Sequence, residues 1–346
     1  MERKAMKYLN NLIRVTEAAA ISASKWVGSG NKEEADKAAT EAMRDRLNKL
    51  DDFTAKIVIG EGKKDSSYGL FCGEMVGNVK RPSHSGNDLP VYQHEIAVDP
   101  IEGTTPTVNS GPEAISVMAV ADKGSMWTTE DFYAMKLAYG PKIASKVKLK
   151  LEDPIEETVK TAAKALGKDI NEMMVCILNR TRHDDIIKRL RKLGCRIKLI
   201  QDCDVSGAVA TCLDKSCSSK DPGIDLLYGI GGAPEAVISA AAIKCLKGDF
   251  QCQVYVKESR DVLLPLHGNY ESQLYEKHTE EDWKAKGPVL GLNDLIKGHC
   301  IFVATGITPG SILEGVHFTN DRIFSNSCFM RSESGTVRFE ETWHGN

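Results

Sequence analysis

No stretch of the 346 residues is apolar for long enough to cross a membrane. The first fifteen, MERKAMKYLNNLIRV, spread their charges throughout and hold no apolar core before a small-residue cleavage site, so a soluble, cytoplasmic protein is expected. Neither sign of charge is in excess. A net charge of -3 and a pI near 6.3 exclude general attraction to nucleic acid or to an anionic membrane, so an anionic ligand would need a local basic site. Ten cysteines are present, but no CxxC and no Cys/His pairing at zinc spacing, which fits reduced thiols and not a disulfide framework. Internal repeats and low-complexity segments are missing too. The glycine loop GIGGAPE (229–235) lacks the third glycine of a dinucleotide fingerprint, Pro234 standing in its place, so nicotinamide binding is not expected.

What is present reads as an α/β protein large enough for two lobes. Residues 4 to 27 have helical spacing, with Met6, Leu9, Ile13, Ala20 and Trp26 on one stripe and Gly28-Ser29-Gly30 ending it. A second helix over 33 to 50 turns Ala39, Met43, Leu47 and Leu50 inward, and one turn back on that face stands Asp36. An acid on a buried stripe implies a partner. A short strand over 56 to 59 ends in Gly60-Glu61-Gly62, and another over 95 to 98 runs up to Asp99, after which Pro100 suits the start of a turn or helix. Residues 114 to 121 form a buried strand. The segment KVKLKLEDPIEE (146–157) alternates like an edge strand and then offers Asp153, Pro154 and Glu156 as N-cap, first position and capping-box acid. The lobe boundary is expected there, giving 1–152 and 153–346.

The second lobe is rhythmic: strand 174 to 178, a basic loop, helix 186 to 193, strand 196 to 200, which is a βαβ unit. A helical VSGAVATCL, a strand over 224 to 230 and the helix AVISAAAIKCL (236–246) follow. Near the end come a strand over 300 to 306 and a capped helix in TPGSILEGV (308–316), while 256 to 298 reads as a polar surface insertion with helical excursions.

Acids recur where apolar strands give way to glycine turns: Glu61, Asp99 with Glu102, Asp202 with Asp204, and Glu235. That is where open α/β sheets place a ligand crevice. Any one alone is most simply a helix cap or a solvated loop group. With Asp36 the set holds more carboxylates than one pocket keeps ionised without metal, and hard oxygen donors suit Mg²⁺, Mn²⁺ or Ca²⁺. Gly103, Thr104 and Thr105 offer an amide nest for an anion. Arg180, Arg182 and His183 share one loop, and a guanidinium holds phosphate oxygens bidentately. His183 reads more readily as a cap or surface residue than as a catalyst, and Lys188, Arg189, Arg191 and Lys192 as a solvated helix face.

The motif DPIEGT (99–104), with VIGEG (58–62) upstream and the acid of GIGGAPEAVISAAA (229–242) downstream, resembles the metal-binding signature of the lithium-sensitive sugar phosphatases. More closely, ASKWVGSGNKEEADKAATEAMR, IVIGEG, IAVDPIEGT, LYGIGGAPEAVISAAAI and ATGITPGSILEGV are similar in order and spacing to class II fructose-1,6-bisphosphatases, including the bifunctional fructose/sedoheptulose enzymes. The resemblance runs over roughly residues 10 to 340. It implies a layered α/β/α/β/α sandwich, Mg²⁺ or Mn²⁺ dependence, a sugar bisphosphate as substrate and a homodimer or homotetramer. It implies Asp36 and Glu61 at one metal site, Asp99, Glu102 and Glu235 at another, and Gly103 and Thr104 at the scissile phosphate. It further implies sugar bisphosphate contacts from Tyr133, Arg180, Thr181, Arg182, Asp202, Cys203, Asp204 and Gly232.

The chain departs from the family at several places: Cys203 stands for a glycine, Arg180-Thr181-Arg182 for Lys-Pro-Arg, Ala236 for glycine, Lys63-Lys64-Asp65 for an acidic run and Thr105 for a basic residue. All five metal acids remain, so the departures bear on substrate preference more than on hydrolysis. The Cys203 side chain must either point away from the pocket or narrow it, and alkylation is expected to inhibit by obstruction. The implied activity is metal-dependent hydrolysis of the 1-phosphate of fructose 1,6-bisphosphate, with Asp99 and Glu61 at the metals and Thr104 orienting a water. A sedoheptulose 1,7-bisphosphatase, another sugar or inositol phosphatase, and a catalytically weak sugar-phosphate sensor are the alternatives.

Overall fold

The computed structural model describes residues 2–51, 53–61, 68–78, 93–129, 132–214, 222–257 and 283–345. Gly62, the Lys63-Lys64-Asp65 departure and much of the expected insertion at 256–298 lie outside them. Two helices come first, α1 (Glu2–Ser24) and α2 (Lys32–Asn48), the second capped by Asn31, whose side chain accepts the Glu34 N–H. Then follow β1 (Thr54–Ile59), β2 (Met75–Gly77), β3 (His94–Glu102), α3 (Thr104–Val108), β4 (Ile115–Asp122), β5 (Tyr133–Tyr139), α4 (Pro141–Ala144) and α5 (Ile155–Leu166). The next are β6 (Met174–Leu178), α6 (Asp184–Leu193), β7 (Arg196–Ile200), α7 (Asp204–Ala210), β8 (Leu226–Gly232) and α8 (Ala233–Cys245). The chain closes with β9 (Asp249–Lys257), β10 (Trp283–Gly291), α9 (Leu292–Leu295), β11 (Cys300–Gly306), β12 (His317–Phe318), β13 (Arg322–Arg331) and β14 (Thr336–Gly345). Among the described residues no helix is long and apolar enough to cross a membrane.

The strands make two mixed sheets. The first runs β12-β13-β11-β4-β3-β1-β2, with β14 on the other side of β13; the second runs β10-β9-β5-β8-β6-β7. Three cores join five layers, the middle core taking in both faces of the α7–α8 layer. On the outer face of the first sheet, α1 and α2 pack Leu12, Met43 and Leu47 against Ile96, Met118 and Phe329. Between the sheets α7 and α8 bury Val205, Val237 and Ile238 against Ala97 and Ala119 on one side and Ala134 and Leu227 on the other. On the far face of the second sheet Ile155, Val159 and Leu190 cover Leu137, Val175 and Tyr228. The order is therefore α/β/α/β/α. The alanine-rich α8 is buried almost all round, as a helix between two sheets must be.

The sheets divide the chain at other points than a single cut at 152/153. Strand β5 already belongs to the second sheet, and β11 to β14 return to the first. The βαβ unit stands as expected, β6 and β7 pairing in parallel from Met174↔Arg196 to Leu178↔Ile200.

Four local expectations are corrected. KVKLKLEDPIEE forms no strand before α5: its alternation buries Leu149 and Leu151, but their N–H groups go to side chains, Tyr139 Oη at 3.0 Å and Gln251 Oε1 at 3.0 Å. Helix α5 starts beyond Pro154 with no side-chain cap, and Glu156 instead takes both prongs of Arg189 at 2.8 and 2.6 Å, a pairing that lowers its carboxyl to about 2. TPGSILEGV is a loop, because Ser311 gives its N–H to the Glu113 carboxylate at 2.8 Å, which Lys198 also holds at 2.8 Å. The described end of the supposed insertion is strand β10, antiparallel to β9, and only the short α9 after it is helical.

Tyr139 ties this framework: its hydroxyl accepts from Leu149 and donates to Asp249 Oδ2 at 2.6 Å. Tyr139→Phe removes the hydroxyl and leaves the Leu149 N–H and Asp249 Oδ2 without it, and is expected to cost about 1–3 kcal/mol, read from the denaturant midpoint.

Candidate active site

Strands β1 and β3 run parallel, so their C-terminal ends meet at one edge of the first sheet. The ends of β6, β7 and β8, parallel in the second sheet, meet opposite it. Strand β3 does not stop at Asp99. It continues through Pro100 to Glu102 over a bulge, pairing Asp99 with Val117 and resuming at Glu102 with Ile115. Pro100 is tolerated because a bulged position owes no ladder hydrogen bond. The Asp99 side chain accepts the Ile101 N–H at 3.0 Å, and helix α3 begins only after Gly103, so the two acids flank a bulge and not a helix start.

Gly103 holds φ +101, and a Cβ there would overlap the Cys203 sulfur. Both the backbone and the space therefore require glycine.

A cavity of about 240 Å³ opens at this edge, lined by Asp36, Glu61, Asp99, Thr104 and Glu235 over apolar Ile59, Val98 and Ile238. Carboxylate oxygens of Asp99, Glu102 and Glu235 lie within 4.8 Å of one another. Helix α8 begins at Ala233, earlier than expected, with Pro234 in its first turn, and so delivers Glu235 there. Burial first, then the charges of Glu61 and Glu235, hold the Asp99 carboxyl well above the usual range. Glu102 is raised too, by burial, Asp99, Asp204 and Glu235. Oxygen-only donors at this spacing fit a hard divalent cation, which would replace repulsion with attraction. Thr104 belongs to the same wall: its hydroxyl donates to Asp36 Oδ1 at 2.8 Å.

A second cavity of about 320 Å³ adjoins the first and shares Pro234 and Glu235 with it. Its walls include Glu102, Tyr133, Arg180, Arg182, Asp202, Asp204 and Gly232. Arg182 is preset: Nε and Nη2 both donate to Ile230 O, at 3.1 and 2.9 Å, while the guanidinium lies 5.0 Å from the Tyr133 ring centre. Thr181 is exposed and absent from both linings. His183 stands at the N-cap position of α6 as expected, but its side chain makes no capping bond and it is no surface residue. Fully buried, it accepts the Ile230 N–H on Nε2 at 2.7 Å and so carries its proton on Nδ1, donated to Leu178 O at 2.7 Å. Burial foremost lowers it to about 4, and the neutral ring brackets the ends of β6 and β8.

Of the two courses open to it, Cys203 takes the one away from the pocket. At φ +69 it caps α7, but its side chain is buried under the Gly103 turn, with Sγ 3.5 Å from Glu102 O, and lines neither cavity. Burial first, then Glu102 and Asp202, keeps the thiol protonated. Alkylation would have to lift the turn, not plug the pocket. The Thr105 departure is answered by Lys32, whose ammonium donates to Thr105 Oγ1 at 2.7 Å.

The residue that sequence reasoning passed over is Lys136, fully buried in β5 and 2.6 Å from Asp204 Oδ2. Its signal was there: in YAMKLAY the strand period places Lys136 between Ala134 and Ala138 on the face toward the middle layer.

Gly232 acts through Glu235. A Cβ at 232 would overlap the Glu235 carboxylate, while φ of -66 suits any residue. In Gly232→Ala the flexible end of Glu235 swings aside, so the melting temperature should hold while phosphate release falls about 10²-fold.

The whole chain can be compared with known proteins. A family model described as bacterial fructose-1,6-bisphosphatase, glpX-encoded, matches residues 6–344. The chain is 37% identical over 336 residues to the D-fructose 1,6-bisphosphatase class 2/sedoheptulose 1,7-bisphosphatase of Synechocystis sp., covering 96% of this chain and 94% of that one. It is 37% identical over 340 residues to the protein of the same description from Thermosynechococcus vestitus, again covering 96% and 94%. A likeness of this extent takes in both sheets and every acid of the first cavity: the chain belongs to the glpX-encoded bacterial fructose-1,6-bisphosphatases.

Proposed function

We propose that the chain hydrolyses the 1-phosphate of fructose 1,6-bisphosphate, with Mg²⁺ or Mn²⁺ in the acid-lined cavity. One observation carries this: an acid-lined cavity adjoins one that holds Arg180 and Arg182, with Glu235 in the wall of both. A ligand spanning them meets cation-binding carboxylates at one end and guanidinium groups at the other, which suits a molecule with a phosphate at each end.

Asp36, Glu61, Asp99, Glu102 and Glu235 would hold the metal. A divalent ion there supplies charge neutralisation for the phosphoryl group and acidifies a water. The chain's own residues supply position. Thr104 spends its proton on Asp36, so its oxygen lone pairs are available to accept from a water O–H and orient it. Gly103 lets the phosphate approach the backbone. Arg182, fixed by Ile230 and Tyr133, meets the distal phosphate without having to order a long side chain, and Asp202 and Asp204 face the sugar hydroxyls between.

Sedoheptulose 1,7-bisphosphate is a second substrate favoured by the double description of the relatives. We assign the enzyme to sugar-phosphate metabolism in the cytoplasm, as a homodimer or homotetramer.

Phosphate release from fructose and sedoheptulose bisphosphates and their monophosphates, with either metal or a chelator, tests this. Arg182→Ala should raise KM for the bisphosphate at least ~10-fold more than for a substrate lacking the distal phosphate. Equal losses on both would count against it.

A further inference from the structure

Buried acids elsewhere in the fold are used up by the fold. Glu74 takes the Leu70 N–H and the Arg44 guanidinium. Glu95 takes the N–H groups of Ser125 and Met126, and Asp225 takes Lys168 and the Met174 N–H. Asp204 is different. Among the described residues its side chain meets only Lys136, on Oδ2, while Oδ1 has no hydrogen-bond partner although the residue lines the second cavity.

The pair is costly to place. The Lys136 and Asp204 side chains are 1% and 8% exposed, and two ions so buried add little to stability that apolar residues of the same volume would not. The surroundings are shaped for it nonetheless. Lys136 faces Gly229 on β8 and Cys252 on β9, neither of which offers a charge. A Cβ at Gly231 would overlap Asp204 Oδ2, so that glycine leaves room for the carboxylate where the ammonium meets it. One oxygen is thus pinned, and the other is buried and unpartnered in a residue of the cavity wall.

We propose that Lys136 is a positioning residue for substrate recognition: by holding Asp204 Oδ2 it presents Oδ1 to a hydroxyl of the polyol segment between the two phosphates. A carboxylate held in one orientation accepts a hydroxyl proton without first having to be ordered. A ligand with both phosphates but no hydroxyl leaves that buried oxygen unsatisfied. This rests on the reading of the joined cavities as a sugar bisphosphate site and adds to it the element that reads the sugar.

The test compares two probes, fructose 1,6-bisphosphate as substrate and hexane-1,6-diol bisphosphate, which has no hydroxyls, as competing inhibitor. In Lys136→Met, KM for the sugar should rise at least ~10-fold while the inhibition constant of the diol moves less than ~3-fold. Lys136→Met with Asp204→Asn leaves no unpaired buried charge, so it folds even where the single change does not. Its preference for sugar over diol should equal that of Asp204→Asn alone, since Lys136 acts only through Asp204. Parallel losses on both probes, or a double variant less selective than Asp204→Asn, would overturn the inference while leaving the bisphosphatase reading intact. A wild-type enzyme inert toward the sugar bisphosphate would overturn both.

Discussion

Carboxylates crowd at the joint between the first sheet and α8, and their mutual repulsion is the constraint around which the rest is built. Asp36 comes from α2, Glu61 follows β1, Asp99 and Glu102 end β3, and Glu235 opens α8. No two of these elements would hold their acids together unaided. The scaffold does so with rigid parts: Ile238 and Val98 close the cavity behind the acids, the β3 bulge turns Asp99 and Glu102 toward one centre, and Val205 N–H caps Glu102 Oε1 at 3.1 Å. An arrangement that stores repulsion when bare becomes a strong site once a divalent cation enters, because the geometry need not be assembled afterward.

The second half of the site hangs on the same joint. Cys203 sulfur fills the space under Gly103, so the turn that ends β3 and the turn that opens α7 are packed as one piece. A shift at the Gly103 turn is therefore felt at Asp202 and Asp204. His183 fixes the other wall by bracing Leu178 against Ile230, and Ile230 in turn fixes Arg182. On the proposed reading, selectivity for a two-phosphate ligand would follow from the separation of these two walls, one from each sheet.

Strands β6, β7 and β11 were legible as short runs of strand-forming residues and stand where periodicity puts them. So was the clustering of acids at strand ends. What periodicity could not give was the fate of backbone groups that bond to side chains. Leu149 and Leu151 alternate as a strand would, but Tyr139 and Gln251, one of them a hundred residues away, take their N–H groups. Ser311 is lost from a helix to Glu113 in the same way. Pro100 read as a helix opener because a bulge has no signature in one strand alone; it depends on the partner's register. Cys203 stood beside two acids in sequence, yet which way it pointed was decided by the space that Gly103 leaves. Lys136 was hidden by the opposite error, since a lysine reads as surface until its strand face is known.

The central claim, that apposed carboxylates wait for a cation, is tested most directly by thermal melts over a range of pH, with chelator and with saturating Mg²⁺ or Mn²⁺. Asp99 and Glu102 have folded-state pKa values raised above those of the unfolded chain. Their contribution to stability is full below the ordinary carboxylate value and is lost as pH rises through the raised one, so the chelated protein should weaken across that window. A cation favours the ionised forms and should stabilise more as the pH climbs. The account predicts a melting-temperature gap between metal and chelator that widens with pH over that window; a gap that is absent, or constant with pH, would contradict it.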